Sequence, residues 1–245
     1  MKSLLLFLAG LSLAFGQTPP ATPAPEHVNI KFTLVGWGQE ITGLEYRSSG
    51  SLKKTGAIPL FTRSKPIEYS GPAALQFFRE PAADEKSSQE KDRVVATASI
   101  PTGLKRAMIL MTPQNDRYQT LVVPDDLDSV PGGQALVMNL CDTSIAIRTN
   151  KTDVFTLAPR ASKLVRPGTK SLLLLQMEVG VQENSVWKKS DNCFLPLPPA
   201  YQTVIFFLKS DSDYFKDVDG RVIKPTQMVV MREQIEKPAN PETAP

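Results

Sequence analysis

Apolar and polar residues alternate along Val28, Ile30, Phe32 and Leu34, with Asn29, Lys31 and Thr33 between them, a period of two that turns one strand face toward a core. Shorter runs of this kind recur at Val94 to Ile100, Ala107 to Met111, Tyr118 to Val123, Ala135 to Cys141, Ser144 to Arg148 and Val154 to Leu157. Others lie at Lys163 to Arg166, Leu172 to Val181, Thr203 to Leu208 and Gln227 to Met231. Turn-forming groups punctuate them: Gly71-Pro72, Pro101-Thr102-Gly103, Pro131-Gly132-Gly133, Pro167-Gly168 and Asp219-Gly220. The spacing predicts an all-β chain of antiparallel β-sandwich type, long enough for two such domains in tandem. Helical periodicity is weak. Short helical candidates fall at Ala73 to Arg79, Asp84 to Asp92 and Gln227 to Glu236, of which the middle one reads better as a solvated hairpin loop.

Composition agrees with a globular class: 41% hydrophobic and 22% charged residues, with 21 prolines that disfavour long helices. A formal charge of +3 is too small to hold nucleic acid by counterion release, so nucleic acid is not an expected partner. Lys2, the apolar run Leu4 to Ala14 and the small-x-small sequence Ala14-Phe15-Gly16 read as an export signal cut between Gly16 and Gln17. That run is shorter than the roughly twenty residues of a membrane-spanning helix, and no second long apolar segment follows. The mature chain is therefore expected in the periplasm or outside the cell, and not across the membrane. The expected organisation is a signal peptide at 1–16, a Pro-rich linker at 17–27, a first β-sandwich domain at 28–124, a second at 125–235 and a disordered tail at 236–245. Val123-Pro124-Asp125-Asp126 and the Pro- and Gly-rich stretch through Gly133 place the boundary. No residue-level repeat links the halves.

Candidate chemistry is sparse. Cys141 and Cys193 are the two cysteines, and an oxidising compartment makes them a candidate disulfide, with two buried thiols as the alternative. His27 is the single histidine, which leaves no His-based triad and no histidine-rich metal site. Gly36-Trp37-Gly38 lacks the third glycine and the helix of a dinucleotide fold and reads as an aromatic-bearing turn. Asp211, Asp213, Asp217, Asp219 and Gly220 suggest a calcium loop, but Phe215 and Thr226 stand where an EF-hand needs acids. Glu178 and Glu183 are acids of the type a glycosidase pairs, without a spacing that singles them out. No cofactor, metal or catalytic residue is expected. Arg160, Lys163, Arg166 and Lys170 form a cationic stretch without an intervening acid, a candidate patch for an anionic glycan or lipid headgroup. Trp37 and Trp187 are either core anchors or binding aromatics. Asn150-Lys151-Thr152 is a glycosylation sequon.

Pro131-Gly132-Gly133, Leu136-Val137-Met138-Asn139-Leu140, Leu157-Ala158-Pro159 and Val165-Arg166-Pro167 together resemble a pattern of uncharacterised exported bacterial proteins with immunoglobulin-like sandwiches. The resemblance spans about forty residues and implies an all-β fold of two immunoglobulin-like antiparallel β-sandwich domains in tandem and an envelope location, without an activity. Immunoglobulin hallmarks are absent: Asp191 stands at the tyrosine-corner position before Cys193, and Trp187 precedes the second cysteine. In size and class the chain is also similar to periplasmic pilus chaperones, whose basic signature has no counterpart here. The expected function is a non-enzymatic binding or structural adaptor for a protein or cell-surface component of the envelope. Carbohydrate binding or cleavage is the alternative, and a chaperone-like role a lesser one.

Overall fold

The structure, a computed structural model, describes residues 26–81, 93–168, 173–183, 186–209 and 226–235. The signal cleavage at Gly16 and Gln17, the 84–92 candidate, Lys170, the Asp211 to Gly220 loop and the 236–245 tail lie outside the described residues. Within them the chain is all-β, with no α-helix and hence no helix long and apolar enough to cross a membrane.

The first eight strands are β1 (His27–Gly36), β2 (Leu44–Ser48), β3 (Ser51–Lys54), β4 (Ile67–Pro72), β5 (Ala74–Arg79), β6 (Val94–Ser99), β7 (Arg106–Gln114) and β8 (Arg117–Pro124). The next eight are β9 (Ala135–Asn139), β10 (Ile145–Thr149), β11 (Asp153–Leu157), β12 (Ser162–Val165), β13 (Leu174–Glu183), β14 (Val186–Pro196), β15 (Tyr201–Lys209) and β16 (Thr226–Gln234). The first set forms an inner sheet ordered β4-β1-β7-β8 and an outer sheet ordered β3-β2-β5-β6. The second set forms an inner sheet ordered β12-β9-β15-β16 and an outer sheet ordered β11-β10-β13-β14. Adding eight to every strand of the first half reproduces the second. Even the parallel pairing recurs, β1 with β7 and β9 with β15, among otherwise antiparallel ladders.

Alternate residues of the central strands feed different cores, because side chains of a strand point to opposite faces. On β7, Ala107, Ile109 and Met111 enter the core of the first half, while Met108 and Leu110 enter the seam between the inner sheets. On β15, Ile205 and Phe207 enter the core of the second half, and Val204 and Phe206 the same seam. β9 divides likewise, with Ala135 and Val137 on one side and Leu136 and Met138 on the other. Three apolar layers therefore join four sheets. In the first, the Phe32 ring meets Tyr46, Tyr69 and Phe77 edge-to-face at 6.0, 6.2 and 6.4 Å, the arrangement that ring quadrupoles favour. At the entry to β9, a Cβ on Gly132 would lie 2.1 Å from the Pro199 carbonyl oxygen, so only glycine lets the two chain segments approach this closely.

Two helical candidates are corrected. Ala73 to Arg79 is strand β5, where Leu75 and Phe77 are buried and Ala74 and Gln76 exposed, a period of two. Of the Gln227 to Glu236 candidate, Gln227 to Gln234 is part of β16, whose Met228 and Val230 pack on the second core while Val229 and Met231 pack on the seam, and Glu236 lies outside the described residues. The expected Cys141–Cys193 disulfide is not formed. Cys193 on β14 turns its Sγ to Met228 Sδ on edge strand β16, 3.8 Å away. Both cysteines pack as thiols on the core of the second half, Cys141 buried and Cys193 half-buried, which is the alternative of two sequestered thiols.

Candidate functional site

The outer sheet of the second half presents apolar side chains to solvent. Val154 is 65% exposed, Val186 and Phe194 59%, and Trp187 45%, whereas Leu52 at 40% is the large apolar residue exposed on the first outer sheet among the described residues. Their placement follows from register. Leu175, Met177, Val179 and Val181 of β13 face the core, so Gln176, Glu178, Gly180 and Gln182 face out. Opposite them on β14 stand Phe194, Asn192, Lys189 and Trp187. Gly180 carries no side chain, and the Trp187 ring occupies the space above it, with Cε3 3.8 Å from where a Cβ would be. A shallow depression of about 310 Å³ forms there, floored by Ala146 and Gly180 and rimmed by Arg148, Glu178, Trp187 and Lys189.

Arg148 donates from Nε to Glu178 Oε2 at 2.7 Å. That hydrogen bond holds the Glu178 carboxyl below the ordinary carboxylate range, with Lys189 and Lys151 adding to it. A glycosidase acid needs the opposite shift. Glu183 lies five positions along the same strand, opposite Val186 of β14.

The described members of the cationic stretch take different directions. Lys163 Nζ lies 4.0 Å from the Phe155 ring centroid and 3.8 Å from Asp153 Oδ2. Arg166 donates from Nε to Gln134 Oε1 at 3.1 Å, and Arg160 lines a cleft between the halves. Trp37 stands at the same cleft, edge-on to Phe61 and Phe206. His27 opens β1 opposite Pro72. The sequon residue Asn150 donates from Nδ2 to the Arg166 carbonyl at 2.9 Å and accepts the Gln176 amide at its Oδ1 at 3.4 Å, so its amide braces a loop. Among the described residues no group of three or more His, Cys, Asp or Glu side chains is placed to hold a metal ion.

Sequence reading missed an ion cluster that ties the halves together. Arg63, between β3 and β4, makes a two-pronged contact with Asp125 at 2.5 and 2.9 Å and reaches Glu233 of β16 at 2.7 Å. Arg106 of β7 adds a 2.5 Å bond to Glu233. Asp125 is 1% exposed. Burial pushes its carboxyl above the ordinary range, and Glu233 adds to that shift while Arg63 and Arg106 oppose it. Gln202 of β15 donates to the Asp125 and Val130 carbonyls at 3.2 and 2.9 Å, fixing the segment between β8 and β9. These partners are separated by up to 170 positions, so no local pattern announces them. No family model matches the chain, and no curated protein is significantly similar to it.

Proposed function

We propose that the chain is a non-enzymatic, exported binding module, two immunoglobulin-like sandwiches in tandem that hold a protein component of the cell envelope on the outer sheet of the second half. The observation that carries this reading is the concentration of Val154, Val186, Trp187 and Phe194 on one solvent-facing sheet. A sheet with one face in water ordinarily presents polar residues there, and clustered exposed apolar side chains mark interaction surfaces. Aromatic residues are the usual anchors of such interfaces. The four-sheet stack and the ion cluster at Asp125 supply a rigid frame, which lowers the ordering cost of binding.

A cross-linked pull-down with the tagged mature protein tests this reading. Trp187→Ser combined with Phe194→Ser should lose a stoichiometric protein partner that the wild type and a Leu52→Ser control both retain. The same partners recovered from all three would overturn it. One observation favours a second reading, glycan binding: the half-exposed Trp187 ring packs at Gly180 beside Arg148, Glu178 and Lys189, an aromatic with polar neighbours. Saturable binding on a glycan array, lost with Trp187→Ser alone, would select it.

A further inference from the structure

A cleft of about 380 Å³ opens where β7 and β8 of the first half meet the loops that follow β9 and β11 of the second. Its size falls in the range of small-ligand pockets, about 300 to 1,000 Å³. Trp37, Leu110, Leu121, Leu140 and Leu208 give it an apolar lining, and Asp142 and Arg160 give it charge. Asp142 is paired with Lys209 at 3.4 Å. Arg160 has no ion-pair partner among the described residues and stands at the edge of this apolar surface.

The wall that carries Arg160 is held in place by a single buried amide. Asn139 is 0% exposed, and its Nδ2 donates to the Thr143 and Leu157 carbonyls at 2.8 and 3.0 Å while its Oδ1 accepts the Cys141 amide at 2.9 Å. Its backbone carbonyl accepts the Arg160 amide at 2.7 Å, and its own amide donates to the Ala161 carbonyl at 3.0 Å. Asn139 thus fixes both loops, the one with Asp142 and the one with Arg160. The turn Ala158-Pro159-Arg160-Ala161 closes through the Ala161 amide on the Ala158 carbonyl at 3.0 Å, and Arg160 has φ 62°. With proline before it, this is the turn position that glycine fills at least steric cost. The chain places a long cationic side chain there instead.

The facing wall is equally fixed. Trp37 is wedged edge-on between Phe61 and Phe206, with ring centroids 4.9 and 5.3 Å away. Phe61 has φ 47°, uncommon for a bulky residue and sustained where the surroundings over-determine it. Strained backbone therefore stands on both sides of the cleft, at the residue that packs Trp37 and at the residue that presents the cation.

We propose that this cleft binds an amphipathic carboxylate, with the acid group on the Arg160 guanidinium and an aliphatic or aromatic body against Trp37 and the leucines. A planar, singly charged group matches one guanidinium fork, whereas a doubly charged phosphate would bring excess negative charge beside Asp142. The site is separate from the outer sheet proposed for docking.

Trp37 becomes the sole tryptophan in a Trp187→Phe background, so its fluorescence reports the cleft in the otherwise intact mature protein. Titration with decanoate, with 1-decanol as the neutral analogue, should give a saturable change for the acid and binding about tenfold weaker or more for the alcohol, the effect of a charge-assisted hydrogen bond. Arg160→Gly and Arg160→Gln should each weaken decanoate binding to a similar degree. The glycine variant should keep or raise the melting temperature, because it relieves the φ of 62°. Absence of a saturable response, equal affinity for acid and alcohol, or wild-type binding by the variants would overturn the proposal. Arg160→Gln retains the turn's side-chain bulk and decides the matter if the glycine variant folds poorly.

Discussion

The two halves share a strand order and part company at their outer sheets. In the first half, Arg93 folds over the outer sheet to reach Glu45 at 3.3 Å, Lys54 meets Glu80 at 2.9 Å, and Phe78 beneath them is buried. In the second half the equivalent sheet leaves Trp187 and Phe194 exposed. The inner sheets show no such contrast, because each is covered on one side by its own outer sheet and on the other by its counterpart. Strand order is maintained by backbone pairing and by the buried face. A solvent-facing surface is under neither constraint, and there the duplicated architecture is free to acquire a different role.

The strongest test of the comparison is the seam. Phe206→Ala removes a fully buried ring that also supports Trp37. It should cost about 4 kcal/mol and, in calorimetry, lower one shared transition of both halves. Separate transitions would show that the halves are energetically independent. Arg63→Ala should cost on the order of 3 kcal/mol by leaving Asp125 buried without its main cation. The pH dependence has a definite sign. The folded Asp125 carboxyl lies above its unfolded value, so the site's contribution to stability is full below about pH 4 and is lost as pH rises through the folded value. The penalty of Arg63→Ala should accordingly shrink in acid, which urea midpoints measured across pH would show.

The outer faces separate next. Phe78→Ser should destabilise by about 2 kcal/mol, whereas Trp187→Ser should stay within about 0.5 kcal/mol of the wild type, since only the first ring is buried. Equal losses in chemical denaturation would erase the distinction. The smallest effect is expected at Arg148→Ala, which should let the Glu178 carboxyl titrate at higher pH. Its depressed value means that the pair's modest support is present above about pH 4.3 and is lost as pH falls through the folded value. Carboxylate NMR titration would read this directly.

Strand existence was legible wherever burial is strong. Val28 to Leu34 alternates visibly, and Ala107 to Met111 and Thr203 to Leu208 are nearly continuous apolar runs because both strand faces are covered. β14 escaped notice because its exposed positions mix Trp187 and Phe194 with lysines, and β2, β3 and β4 are short and polar. β5 misled for another reason: apolar residues at Ala73, Ala74, Phe77 and Phe78 fit a helical spacing as well as a strand. Hydrogen bonding to β2 and β6 decides between them. Of the candidate sites, Trp187 and Arg160 were identifiable as residues of interest, but their surroundings were not. Arg63 and Gln202 were unremarked, and Asn139 stood only as one member of an apolar run, because a buried polar side chain looks like a surface one until its partners are known.

The sequence by itself determined the all-β class, the positions of most strands and the turns between them, since alternation and turn chemistry act over a few neighbouring residues. Tertiary structure alone decided that the second eight strands repeat the order of the first, that alternate faces of β7 and β15 meet different cores, and that Cys141 and Cys193 pack on one core without a disulfide. Those outcomes depend on backbone hydrogen bonds and packing between residues far apart in the chain. Backbone hydrogen bonds look alike whatever side chain stands beside them, so a duplicated strand order leaves no residue-level repeat to read.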